Sequence, residues 1–163
     1  MEKIGLILNN LGPNQVAYQL IKTINEYLEK HDDIDPVLFY HNLTPTVAKP
    51  NFAVANLFEA YAYNGRLIST DLNNASRSLD YIGTKQKYFY PIDLEWTKLQ
   101  NRQYEQLSQI YSNEKLPIIA RSENFKQIFE KTWGSKVIGV VENFNFEQLV
   151  KVVLDYESKT SKQ

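Results

Sequence analysis

The carboxylate pair Asp93 and Glu95 is the feature of the sequence best suited to acid–base chemistry. The two acids flank Leu94 and are followed directly by Trp96. In an extended segment, side chains two residues apart point to the same side, so both carboxyl groups would face one site. Such a pair does acid–base work when the pKa of one member is raised. An aromatic ring beside a carboxylate also suits recognition of a sugar or a base. The alternative is that both acids stabilise the N-terminus of a helix, where negative charge is favoured.

Histidine offers the other catalytic candidate. His41 follows an apolar run and could serve as a general base, although no partner lies near it in the sequence. The alternative is a surface histidine at the end of a strand. Cysteine is absent, which excludes disulfides and thiolate chemistry. The spacing of histidines and acids matches no metal-binding motif. We therefore predict no metal site and no bound cofactor.

The loop after the first apolar run is a candidate binding site. It contains Asn9, Asn10, Gly12 and Asn14. Neither a G-x-G-x-x-G fingerprint nor a Gly-Lys-Ser/Thr phosphate loop is present. In one interpretation Gly12 makes a tight turn and Asn14 caps the following helix. In the other, amides at the start of that helix bind an anion or a sugar hydroxyl.

Arg121 and Glu123 make a further candidate cluster, because they stand where an apolar run ends and a helical pattern begins. Arg121 would pair either with an anionic ligand or with one of the acids Glu123 and Glu142. The complete set of predicted ligand-binding residues is Asn9, Asn10, Gly12, Asn14, Asp93, Trp96, Arg121 and Glu123.

Alternating β-rich and helical patterns must position these residues. The predicted strands are 3–8, 36–40, 66–70, 87–90, 116–120 and 136–141, and the predicted helices are 14–30, 52–63, 73–82, 96–111, 124–133 and 146–156. Several strands are apolar throughout, as expected where helices cover both faces of a parallel sheet. We predict one Rossmann-like α/β domain over residues 1–156, with about six mostly parallel strands, and a polar tail at 157–163. Ligands of such sheets bind at the carboxyl ends of the strands, where the candidates stand.

Composition limits the class of partner. Among 163 residues, 18 basic and 19 acidic side chains give a net charge of -1, with no polybasic stretch, so nucleic-acid binding is not expected. No apolar run approaches the ~20 residues of a membrane span, and the N-terminus does not resemble a signal peptide. We expect a cytoplasmic protein. Tyrosine is abundant, with 11 copies, and suits interfaces. A protein partner or self-association is therefore expected.

The order of the elements resembles the N-terminal half of GT-B glycosyltransferases. The similar segments are the opening strand and loop at 3–12, the strand and helix at 118–133, and the strand at 136–144. The resemblance implies a Rossmann-like, acceptor-side half. In that family a second domain holds most of the nucleotide-sugar donor, and the length here leaves no room for it, so we expect no sugar transfer by this half alone. The small size and the Asn- and Tyr-rich composition also resemble proteins of large tailed phages, which would place the chain in the host cytoplasm or the virion.

Three hypotheses about function follow. The first is a non-catalytic binding or interaction protein on a glycosyltransferase-like scaffold, such as a phage structural or accessory protein. The second is a glycosyltransferase-like enzyme or subunit that needs a partner's donor domain and uses His41, Asp93 and Glu95. The third is a nucleotide-binding regulatory domain. The small ligands that the candidate residues would suit are a sugar or a nucleotide, beside the protein partner expected above.

Overall fold

Seven parallel strands form one sheet in the computed structural model, which describes residues 1–42, 44–46, 48–99 and 104–161. The strands are β1 (Glu2–Asn10), β2 (Ile34–Asn42), β3 (Ala53–Asn56), β4 (Arg66–Ser69), β5 (Gln86–Phe89), β6 (Ile118–Ala120) and β7 (Val137–Val140). Their order across the sheet is β3-β2-β1-β4-β5-β6-β7. This arrangement confirms the predicted Rossmann-like α/β fold, with seven strands in place of about six.

Helices cover both faces of the sheet. They are α1 (Gln15–Leu28), α2 (Leu72–Ser78), α3 (Tyr104–Tyr111), α4 (Glu123–Trp133) and α5 (Phe146–Thr160), together with two 3-10 turns at Leu57–Ala62 and Glu95–Lys98. The first face carries α1 and α5, and the second carries α2, α3, α4 and the turn Leu57–Ala62. Right-handed crossovers explain why α1 lies on one face and α2, α3 and α4 on the other, because the chain moves one way from β1 and the opposite way from β4. Helix α5 follows the last strand and packs beside α1 on the first face.

Strand β1 shows why its sequence is apolar throughout. Ile4, Leu6 and Leu8 point to the first face and pack under α1 and α5. Ile7 points to the second face and packs beneath the turn Leu57–Ala62. A parallel strand buried on both faces needs a continuous apolar run rather than an alternating one.

Side-chain caps set the start of several helices. Asn14, Asp71, Ser122 and Asn145 each accept a backbone N–H from the first turn of α1, α2, α4 and α5 respectively. At the other end of α4, Gly134 adopts a left-handed conformation with φ of 63°, which glycine tolerates without a steric cost. These polar and glycine positions explain why most helix boundaries were predictable.

Two predicted helices need correction. The helix predicted at 52–63 is strand β3 followed by the turn Leu57–Ala62, because the Asn56 side chain accepts the N–H of Phe58 and starts the turn there. The helix predicted at 96–111 is the turn Glu95–Lys98 and then α3. Residues 100–103 lie outside the described residues.

An ion-pair cluster centred on the buried Arg66 holds α5 to the sheet. Arg66 donates from Nε and Nη2 to the two carboxylate oxygens of Glu157, at 2.7 and 2.6 Å, and from Nη1 to Glu2 at 2.5 Å. The Tyr88 hydroxyl also donates to Glu157, at 2.9 Å. Helix α5 therefore continues to Thr160, past the boundary predicted at residue 156. Residues 162–163 of the predicted tail lie outside the described residues.

Candidate functional site

A polar network lies where the strand order reverses between β1 and β4. Asn74, on α2, is fully buried, and its Nδ2 donates to Oδ1 of Asn9 at 2.9 Å and to Oδ2 of Asp71 at 2.5 Å. Asp71 in turn caps α2 through the N–H of Asn74. Oδ1 of Asn74 is buried without a hydrogen-bond partner in the described part of the chain. Asn9 is thus a predicted residue placed at the switch point, whereas Asn74 was not predicted.

The loop after β1 is held by its own side chains. Oδ1 of Asn10 accepts the N–H of Gly12 and the hydroxyl of Thr44, both at 2.6 Å. A Cβ on Gly12 would stand 2.6 Å from Oγ1 of Thr44, so the loop requires glycine there. Asn14 accepts the N–H of Ala17 at 2.8 Å. The predicted role of Asn14 as a helix cap is therefore confirmed.

The two carboxylates, Asp93 and Glu95, have different partners in the structure. Asp93 is exposed and forms an ion pair with Lys98, whose hydrogen bond lowers the pKa of the Asp93 carboxyl. Glu95 is half-buried at the start of a 3-10 turn, and its Oε1 accepts the N–H of Leu72 at 2.8 Å. Burial raises the pKa of Glu95. Glu95 therefore supports the N-terminus of α2, a helix that precedes it in the sequence, and the segment is not extended as the prediction assumed.

Trp96 belongs to an aromatic cluster of the second face. Its ring meets the rings of Tyr111, Phe129 and Trp133 edge-on, at centroid distances of 4.9, 5.5 and 5.7 Å. This packing gives Trp96 a structural role beside the ligand-binding role predicted for it.

The Arg121 side chain contacts one backbone carbonyl and two aromatic rings. Its guanidinium donates to the carbonyl of Ile92 and lies 5.6 Å from the ring centroids of Phe125 and Phe144. Within the described residues it makes no ion pair with Glu123 or Glu142, the partners predicted for it. Its charge stays at the surface, since the residue is exposed.

The two remaining predicted residues are exposed. His41 lies near the end of β2, and Glu123 lies in the first turn of α4. A negative charge suits that end of a helix. The predicted residues thus form separate groups along the carboxyl edge rather than one constellation. Across the described ranges, no group of three or more acids and histidines is placed to hold a metal ion.

An exposed group of large apolar side chains lies on the second face, and we call it the aromatic patch. Its exposed members are Phe58 at 88%, Ile82 at 82% and Tyr61 at 49%, and the partly buried Tyr81 completes it. Phe58 and Tyr61 lie on one side of the 3-10 turn, since side chains three residues apart eclipse in this helix type. The rings of Tyr61 and Tyr81 meet edge-on at 5.7 Å.

The backbone brings the two halves of the aromatic patch together. A Cβ on Gly83 would stand 2.8 Å from the carbonyl carbon of Ala62, so the chain after α2 lies directly against the 3-10 turn. The sequence prediction missed the patch because it placed one helix over residues 52–63, where the structure has a strand and then a 3-10 turn. The signal available was the high number of tyrosines.

No family model matches the chain, and no curated protein or solved structure is significantly similar to it. None of the helices in the described ranges is long and apolar enough to cross a membrane.

Proposed function

We propose that this chain is a non-catalytic binding protein on a glycosyltransferase-like single-domain scaffold, and that it associates with a second copy of itself through the aromatic patch. The observation that carries the proposal is the exposure of Phe58 and Tyr61 on one side of the 3-10 turn, with the exposed Ile82 on the chain that lies against the end of this turn at Ala62 and Gly83. If the chain is phage-encoded, such association would suit a structural or accessory protein.

The size of the aromatic patch supports an interface. Its exposed side chains amount to roughly 400 Å², within the range of patches that are often functional on monomers. Each partner of a standard interface contributes about 800 Å², so the patch would form its centre and the surrounding polar residues its rim. Aromatic side chains are also the residue type most often found to dominate binding energy.

The charges around the aromatic patch favour a second copy as the occupant. Glu59 and Asp80 are acidic, Arg77 is basic, and all three are exposed. In a two-fold contact, the acid on one copy faces the base on the other, so a rim with both signs is self-complementary. The net charge of -1 opposes association only weakly. Edge strand β3, which carries no charged residue and no proline, leads directly into the turn that carries Phe58.

We expect the protein to dimerise and the substitution Phe58→Glu to weaken dimerisation by roughly a hundredfold. A buried aromatic anchor is worth about 2 kcal/mol or more when lost, and the new carboxylate would face the Glu59 side of the patch. Sedimentation velocity over a wide concentration range measures the dissociation constant of both proteins.

Tyr18→Glu is the matched control, since Tyr18 is an exposed aromatic residue on α1, which covers the opposite face. It should dimerise like the unaltered protein. An unaltered protein that stays monomeric at every concentration would overturn the proposal. A Phe58→Glu variant that folds and dimerises with unchanged affinity would do the same.

A small polar ligand at the switch point is a second candidate function. The reversal of strand order at β1 and β4 favours it, because ligands of doubly wound sheets bind at that place. Asn9 is exposed there, and its Oδ1 is held by Asn74.

We expect a nucleotide or a nucleotide sugar at a hundred times its dissociation constant to stabilise the fold by about 2.7 kcal/mol, seen as a rise in melting temperature. Asn9→Ala should abolish the rise, whereas Asn73→Ala, at an exposed amide on α2, should keep it. No rise with any nucleotide or nucleotide sugar would remove this candidate.

A further inference from the structure

A groove of about 760 Å³ runs between α2 and α3 on the second face of the sheet. Its apolar wall is formed by Leu72, Leu79, Leu107 and Ile110, and neutral amide and hydroxyl side chains such as Ser76 form its rims. This volume lies within the range of small-molecule sites, and apolar and polar side chains contribute to the lining in similar measure. The groove is separate from the aromatic patch, which lies on the other side of α2.

One end of the groove is acidic. Glu95 closes that end and is the single ionisable side chain among the described lining residues. One of its oxygens accepts the N–H of Leu72, and the other has no hydrogen bond to described residues. The charged groups that act on Glu95 are Asp71, Asp93 and Lys98, and Lys98 is itself paired with Asp93. Among the described residues the charge around Glu95 is therefore negative.

We propose that this groove binds a small amphiphilic amine, with the ammonium group on the free carboxylate oxygen of Glu95 and the apolar body along Leu72, Leu79, Leu107 and Ile110. The half-buried carboxylate supplies a charge-assisted hydrogen bond, which is about twice as strong as a neutral one. The leucine-rich wall takes the apolar body out of water. Among the described lining residues Glu95 carries the one charge, so a ligand with a single cation fits this part of the groove.

A peptide is the competing occupant, and the charge pattern disfavours it. An amphipathic helix in a groove anchors through apolar side chains at several turns and adds charge contacts along its flanks. Here the flanks that the structure describes are neutral amides and hydroxyls, and the charge among these residues comes from Glu95. A ligand with its charge at one end matches this distribution.

Octylamine and octanol test the proposal as probes of equal length that differ in charge. Amide NMR titration of the full-length protein should show octylamine shifting the signals of Leu72, Asn73 and Ile110. We expect octylamine to bind at least tenfold more tightly than octanol. Glu95→Gln keeps an oxygen that accepts the N–H of Leu72 but removes the charge, and it should abolish this preference without unfolding α2.

Two further variants test whether the probes bind in the groove and whether Glu95 alone sets the preference for the amine. Asp93→Asn removes a neighbouring exposed carboxylate and should leave most of the preference intact. Ser76→Trp, at an exposed position of α2, should fill the groove and weaken both probes at least tenfold. Lowering the pH through the pKa of Glu95 should weaken octylamine and leave octanol unchanged, because the protonated carboxyl cannot pair with the ammonium group.

Three results would overturn the proposal. They are equal affinity for the two probes, signal shifts confined to residues outside the groove, and an octylamine preference that survives in Glu95→Gln. A helical peptide that displaces both probes, with no preference for the amine, would assign the groove to a protein partner instead. None of these outcomes depends on dimerisation through the aromatic patch, since Phe58 lies outside the groove.

Discussion

Replacing Arg66 with methionine should destabilise the fold by about 2–3 kcal/mol, because it removes the charge-assisted hydrogen bonds of a buried guanidinium to two partly exposed carboxylates. The Arg66 side chain is only 9% exposed and binds Glu2 and Glu157. Without it, the half-buried Glu157 carboxylate would keep a hydrogen bond from Tyr88 but lose its counter-charge. Urea denaturation measures the change in the free energy of unfolding.

Lys22→Met is the matched control, because it removes a cation from an ion pair on the surface of α1. Lys22 and Glu26 are about half exposed, with 3.8 Å between Nζ and Oε1. Such pairs contribute about 0.3–0.5 kcal/mol. If the two substitutions lower the free energy of unfolding by the same small amount, the Arg66 cluster does not hold α5 to the sheet.

The same cluster predicts how stability responds to acid. The hydrogen bond from Arg66 holds the pKa of Glu2 below its ordinary value. A carboxyl with a depressed pKa in the folded state contributes stability that is present above its unfolded pKa, about 4.3. This contribution is lost as the pH falls through the folded pKa. The difference in stability between the unaltered protein and Glu2→Gln should therefore shrink below pH 4, and it should be small because Glu2 is half exposed.

We expect removal of the Tyr111 ring to lower the stability of the fold and removal of its hydroxyl alone to raise it. The ring is buried and stacks on Phe129 at 5.8 Å and on Trp133 at 5.5 Å. Tyr111→Ala should cost about 3–5 kcal/mol, as for other large aromatic residues in cores. The hydroxyl is buried without a partner in the described chain. Tyr111→Phe should therefore stabilise the fold by about 1 kcal/mol, because it removes an unsatisfied polar group.

Thermal and urea unfolding of the two variants check this pair of predictions. Tyr18→Phe is the control for the hydroxyl, since Tyr18 is partly exposed on α1 and its substitution should change stability little. A loss of stability in Tyr111→Phe would show that the hydroxyl has a partner in solution. If Tyr111→Ala lowers the free energy of unfolding only slightly, the aromatic cluster does not hold α3 and α4 to the sheet.

Features encoded locally were predictable from the sequence. The apolar run of β1 indicates a strand that is buried on both faces. Asn14 lies at the position where a side-chain cap begins the first helix. Strand β3 was not predictable because it has only four residues and lies at the edge of the sheet. Its short Ala-Val-Ala segment fits a helix as well as a strand.

Contacts between elements that are distant in the sequence could not be predicted, because the sequence does not show which elements pack together. Arg121 receives its contacts from Ile92 and Phe144, which lie 29 and 23 residues away in the sequence. Glu95 supports α2 only because the chain after β5 returns to that helix. The groove between α2 and α3 is a consequence of the same packing. Composition indicated an interface through the number of tyrosines, but the location of the aromatic patch required the fold.

The core shared by β1 and α5 cannot be completed until the end of translation of this domain. The first strand to leave the ribosome lies at the centre of the sheet, yet Ile4 and Leu6 share their core with Phe146 and Val153 of the last helix. Thr23 and Phe144, which are joined by a hydrogen bond, are separated by 121 residues. Contacts this distant in sequence slow folding. The part of this shared core that α5 supplies is therefore missing from the nascent chain until the end of synthesis of this domain, whereas α1 follows β1 directly and can cover the rest of its first face.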